Sequence, residues 1–198
     1  MASTGAKVVL GIGCGLLAII AAGFVTCAGC VAMIGSHSSP ASSTAGEPRH
    51  PTWTGGEGEP SQMDGSRTVH YQLRSDDLLV GWLTAERPVI VAECRERKVS
   101  AYLVTGMSLR PELGRFQKYT VRLRFDSHNP TTEAWSESTD GKAVFAPRPA
   151  AFLKRMAQAK TLRVEVTPFN SNPGVATFHV VGFSEPLAKI TETCRGRR

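Results

Sequence analysis

The stretch Tyr119-Thr120-Val121-Arg122-Leu123-Arg124-Phe125 alternates apolar and polar residues step by step. Successive side chains of an extended chain point to opposite faces, so Val121, Leu123 and Phe125 fall on one side and Arg122 and Arg124 on the other. That is the pattern of a strand with one face in a core and one in water, and it sets the fold class.

The same period recurs on either side. Thr68 to Arg74 places Val69, Tyr71 and Leu73 on one face and Thr68, His70, Gln72 and Arg74 on the other. Leu162, Val164 and Val166 alternate again, as do Ala176, Phe178 and Val180. Val89 to Ala92 and Ala101 to Val104 are shorter apolar runs separated by the charged segment Glu93 to Lys98, which predicts a hairpin. Two segments follow the helical period instead. Pro149 to Lys160 carries Phe152, Leu153, Met156 and Ala159 at helical spacing, with Pro149 suited to a first turn. Glu185 to Cys194 spaces Leu187, Ile190 and Cys194 by three and four residues. The expected fold is mainly β, of the α+β class. It is an antiparallel sheet or small β-sandwich of about six or seven strands with two short helices, spanning residues 66–198.

Upstream of that domain the composition changes twice. Residues 35–65 are rich in Ser, Pro, Gly, Thr and Glu, which cannot bury enough apolar surface to offset the entropy of ordering, and they read as a disordered tether. Residues 8–34 are apolar, and no charge occurs between Lys7 and Glu47. A transmembrane helix needs roughly 20 such residues, whereas a cleaved signal has an apolar region of roughly 7 to 15. The run therefore predicts a signal anchor, with 1–7 cytoplasmic. Cys30 after Ala28 and Gly29 leaves a lipoprotein signal open as the alternative. Lys7 precedes the run and the next basic residue is Arg49, so the positive-inside rule predicts a single-pass inner-membrane protein with its C-terminal domain periplasmic or extracellular. Gly11, Gly13 and Gly15 lie within this run, not between a strand and a helix, so they are not read as a phosphate loop.

From Ser66 onward the chain has 21 Lys and Arg against 13 Asp and Glu, so the displayed domain is more basic than the overall charge of +6. A basic domain beside a membrane suits an anionic wall or lipid ligand, or a complementary protein of the envelope. Nucleic acid is not expected, since the basic residues are scattered and an exported domain rarely meets it.

Only Cys94 and Cys194 lie beyond the apolar run. Export and an even count predict a disulfide between them, closing a loop of about 100 residues; two buried free thiols are the alternative. None of the five histidines stands at metal-ligand spacing with Cys or a carboxylate, and no Gly-x-Ser-x-Gly elbow is present. Asp76-Asp77 reads as a solvated turn pair. No cofactor, metal or enzymatic activity is expected. Arg122, Arg124 and Asp126 predict a charged ladder on one sheet face with Trp135 beside it. Arg122, Arg124 and Trp135 are the expected ligand contacts, against the plainer readings of a ladder that stabilises the sheet and of Trp135 alone as a core residue.

Several segments, taken in order, carry a resemblance. They are Ser61-Gln62-Met63-Asp64-Gly65-Ser66, Arg87-Pro88-Val89-Ile90-Val91-Ala92-Glu93-Cys94 and Ala101-Tyr102-Leu103-Val104-Thr105-Gly106. Next come Val121-Arg122-Leu123-Arg124-Phe125-Asp126, Glu133-Ala134-Trp135-Ser136-Glu137-Ser138-Thr139-Asp140, and Thr167-Pro168-Phe169-Asn170 through to Cys194. Their order resembles the VasI-like (TagO-like) family of proteins associated with bacterial type VI secretion. The resemblance implies an envelope location and an accessory role beside envelope or secretion-system proteins, or in a phage-related system.

Overall fold

The computed structural model describes residues 52–195 apart from 64, 113, 115 and 116. The expected cytoplasmic N-terminus (1–7), the anchor (8–34), Cys27, Cys30, His37 and His50 lie outside the described residues. Among those that are described, no helix is long and apolar enough to cross a membrane.

In chain order the elements are β1 (Thr54–Glu57), β2 (Val69–Arg74), β3 (Leu79–Val80), β4 (Ala85–Glu86), β5 (Val89–Arg95), β6 (Lys98–Val104) and β7 (Lys118–Phe125). They continue with β8 (Thr131–Glu137), β9 (Ala143–Phe145), α1 (Pro149–Gln158), β10 (Thr161–Val166), β11 (Gly174–His179) and α2 (Ser184–Arg195). Among the described residues nine strands form one sheet in the order β1-β2-β5-β6-β9-β8-β7-β10-β11, while β3 and β4 form a separate two-stranded ribbon. Every pairing is antiparallel. The mainly β class with two short helices is therefore as the alternation predicts.

The alternation also places the core. Val69, Tyr71 and Leu73 of β2, Tyr119, Val121, Leu123 and Phe125 of β7, Leu162, Val164 and Val166 of β10, and Ala176 and Phe178 of β11 are all buried in one cluster. Each such aliphatic or aromatic side chain contributes roughly 1.5–3 kcal/mol on full burial. Both helices add apolar side chains to the same cluster: Phe152, Leu153 and Met156 from α1, and Ile190 from α2 with Leu187 packed against it. Phe152 meets Phe125 and Trp135 edge-on, at ring-centroid distances of 6.0 and 5.4 Å. Edge-to-face geometry sets the positive rim of one ring against the negative face of the other.

The sheet curls. Asp76, just after β2, donates its N–H to the Thr177 carbonyl of β11 at 2.9 Å, and the Thr177 N–H reaches the Asp77 carboxylate at 3.0 Å. Asp76 also pairs with His179 at 2.5 Å. A segment beside the second strand of the order is thus fastened to the last strand, so the single sheet wraps its own core. The expected Asp76-Asp77 turn is present and Asp77 stays exposed, but the pair is not merely solvated: both carboxylates are engaged in this clasp.

Two boundaries also differ from the expectation. The domain begins before Ser66, because Thr54–Glu57 forms the edge strand β1 and Trp53 stacks on Phe183 with 4.5 Å between ring centroids. The expected tether 35–65 is corrected at its C-terminal end. Glu93 to Lys98 does not separate two short strands; β5 and β6 run through it and turn on Glu96 and Arg97 alone, both with positive φ (49° and 59°). Two such residues make the turn whose twist matches the flanking strands.

Cys94 and Cys194 are bridged, with Cα atoms 5.6 Å apart across a separation of 100 residues. The bond ties α2 to β5, as the cysteine count predicts.

Candidate functional site

On the outer face of the sheet β7 and β10 lie side by side. Their register sets Arg122 opposite Glu165 and Arg124 opposite Arg163. The first pair is satisfied: the Arg122 guanidinium donates to both Glu165 carboxylate oxygens at 2.8 and 3.1 Å. The second pair is two cations directly across a ladder, an arrangement that destabilises a sheet. Neither the Arg124 nor the Arg163 guanidinium makes a hydrogen bond or ion pair among the described residues. A groove of about 240 Å³ runs here between Arg122, Arg124, Arg163 and Glu165, with Pro130 and Val175 as its apolar walls. Beyond it a shallower hollow adds Lys160 and Ser127 to the same two arginines.

The one carboxylate at that end is already committed. Asp126 Oδ1 accepts the N–H of Lys160 at 2.9 Å and of Thr161 at 2.8 Å. The Thr161 hydrogen bond is the main cause holding this carboxyl below its ordinary value. The Lys160 bond and the charges of His128 and Lys160 act in the same direction. Asp126 therefore belongs to the joint between α1 and β10, and that joint places Lys160 at the end of the groove.

Arg122 and Arg124 stand together as the alternation predicts; Trp135 does not join them. It is 1% exposed, opposite Tyr119 on the core face of the sheet, and its Nε1 donates to Glu133 at 3.0 Å. The expected Trp135 contact is corrected: a buried indole offers a ligand no surface. Glu133 is nearly enclosed, and besides the indole it faces Arg148 and Arg155 at 3.9 and 4.0 Å.

Other residues that drew attention in the sequence are structural. Ser138 Oγ donates to Asp140 at 2.5 Å and accepts the Ala143 N–H at 2.9 Å, while Asp140 also accepts the Lys142 N–H at 3.1 Å. The Ser138 bond holds the Asp140 carboxyl below its usual range. This network shapes the β8–β9 turn. His128 Nδ1 lies 3.0 Å from the Phe125 carbonyl, and His179 belongs to the clasp. No group of three or more His, Cys, Asp or Glu stands close enough to hold a metal among the described residues.

Arg163 and Lys160 are the site residues that sequence reasoning missed. The alternation of Leu162, Val164 and Val166 does point Arg163 outward. What it lacks is the strand order, and only the β7–β10 pairing sets Arg163 against Arg124.

Fold and site together describe a disulfide-stapled, mainly antiparallel β domain with a basic outer groove. No family model and no curated protein matches the chain. Among solved structures it is similar to the crystal structure of invasion associated protein B from Bartonella henselae. The identity is 15% and the TM-score 0.47, over 72% of this chain and 92% of that one.

Proposed function

We propose that the chain is a membrane-tethered envelope protein whose β domain is a non-enzymatic binding module for an anionic wall or lipid ligand. The observation that carries this reading is Arg124 facing Arg163 across β7 and β10 with no carboxylate paired to either among the described residues. Two guanidiniums held by a rigid sheet offer parallel N–H donors to phosphate or carboxylate oxygens, and charge-assisted bonds of this kind are the strong ones. Lys160 extends the cationic line, and the nearest acids, Glu165 and Asp126, are occupied. The Cys94–Cys194 bridge and the apolar run 8–34 support placement outside the cytoplasm, at the inner membrane.

The test is a calorimetric titration of the full chain, in discs of zwitterionic lipid, with inorganic tripolyphosphate as the probe. R124Q and R163Q should each weaken binding about tenfold or more, since one hydrogen bond to a charged group contributes about 1.5–3 kcal/mol. Binding should weaken as salt is raised. Equal affinity in wild type and the double variant contradicts the reading.

A second reading, an accessory of a secretion or phage-related apparatus, rests on the VasI-like resemblance. The residues that carry it include the Ser138–Asp140 turn, Asp126 and the two cysteines, all of which serve the scaffold. The resemblance therefore speaks for a shared scaffold more than for a shared partner. Genes for sheath or baseplate components beside this one favour the second reading, and wall-remodelling genes favour the first.

A further inference from the structure

Residues 78–85 carry no charge, and four of their apolar side chains face solvent: Leu78 (52% exposed), Val80 (64%), Trp82 (65%) and Leu83 (79%). They belong to the β3–β4 ribbon, whose end is closed by the Gly81 N–H donating to the Thr84 carbonyl at 2.8 Å, leaving Trp82 and Leu83 outermost. The ribbon is seated on the domain. Leu79 is fully buried, and its Cδ1 lies 2.5 Å from where a Cβ on Gly174 of β11 would stand; a Cβ on Gly81 would stand 2.8 Å from Met107 Sδ. A Cβ at either glycine would press on these side chains, so the ribbon packs closely where Leu79 enters the core, and its apolar tip is held out from that seat.

From this we infer that the β3–β4 ribbon is a bilayer contact, with Trp82 and Leu83 entering the interface between headgroups and acyl chains. Its shape and size favour lipid over protein. Four side chains on a narrow, convex tip are a fraction of the roughly 20–30 residues a side that a stable protein interface uses. A soft medium receives such a tip without a matching groove. Trp suits this depth, its ring apolar and its N–H still within reach of water. Covalent geometry limits how far the domain can stray from residue 34: residues 35–52, at about 3.3–3.6 Å each, span at most about 65 Å. In that respect the inference rests on reading residues 8–34 as an anchor; it does not depend on the Arg124–Arg163 groove.

The three tryptophans make the full chain its own probe, because none lies before Trp53, Trp135 is enclosed and Trp53 is stacked on Phe183. The chain is reconstituted into vesicles, recovered by flotation, and compared with W82F. The Trp82 component, wild type minus W82F, should move to shorter wavelength, become shielded from acrylamide, and lose most of its emission when the lipids are brominated along the acyl chain. L83S, which keeps the reporter, should reverse all three effects. A chain that floats with Trp82 open to acrylamide overturns the ribbon proposal alone. Shielding without bromine quenching marks a protein neighbour, such as a second copy, and overturns it too. A chain that does not float overturns the anchor reading and this inference together.

Discussion

Asp126 follows β7 with a φ of 48°, a left-handed conformation that Asp adopts at less cost than most residues. Its carboxylate then receives two backbone N–H groups that would otherwise lack partners at the end of α1. The folded-state carboxyl is held below its ordinary value. The stability it adds is therefore fully present above the unfolded-state value and is lost as pH falls through the folded one. D126N keeps the acceptor oxygen and the tolerance of positive φ but removes the titrating proton. It should melt somewhat lower than wild type at neutral pH and lose less on acidification to about pH 3, below the ordinary Asp value. Melting curves across that range decide it, and parallel pH profiles would show that Asp126 contributes nothing through its charge.

The β5–β6 hairpin illustrates a conflict at the scale of the element. Glu96 and Arg97 both occupy positive φ, where a Cβ crowds the backbone and each non-Gly residue costs roughly 1–2 kcal/mol. Asn-Gly is the pair such a two-residue turn prefers. E96N/R97G should therefore raise the melting temperature, and a lower one would mean that the two native side chains make contacts worth more than the strain. The disulfide acts on a larger element, fastening α2 to β5 across 100 residues. In the chain-entropy view a loop of that length stabilises by up to about 4.7 kcal/mol. Reductant should lower the melting temperature markedly, whereas Cys94→Ser should start low and ignore reductant. Equal curves with and without reductant would leave the core alone as the source of stability.

Over the whole molecule, what was legible followed from burial. β2, β7, β10, β11, α1 and α2 alternate or repeat because one face of each joins a single core, and their ends fall within a residue or two of the sequence reading. β1 was illegible because Thr54-Gly55-Gly56-Glu57 buries no apolar side chain and is held by backbone pairing to β2. β8 escaped the alternation because Trp135 is its one buried residue. Half of the basic groove was visible in Arg122 and Arg124. The other half waited on strand order, which local pattern does not encode. Trp135 was misplaced for a related reason: alternation counted from Val121 says nothing about a neighbouring strand's register, and that register puts Trp135 opposite Tyr119.

On the function proposed above, Arg163 is kept opposite Arg124 for an anion, at the expense of the sheet. Like charges across a ladder destabilise it by an amount on the scale of roughly 0.2–1 kcal/mol. A ligand that binds only the folded state raises the melting temperature. Thermal unfolding of the full chain and of R163Q, each with and without tripolyphosphate, tests both halves at once. R163Q should melt above wild type without the anion, and tripolyphosphate should raise the wild-type melting temperature but leave that of R163Q nearly unmoved. An R163Q variant that melts lower, or one that gains as much from the anion as wild type does, would contradict it.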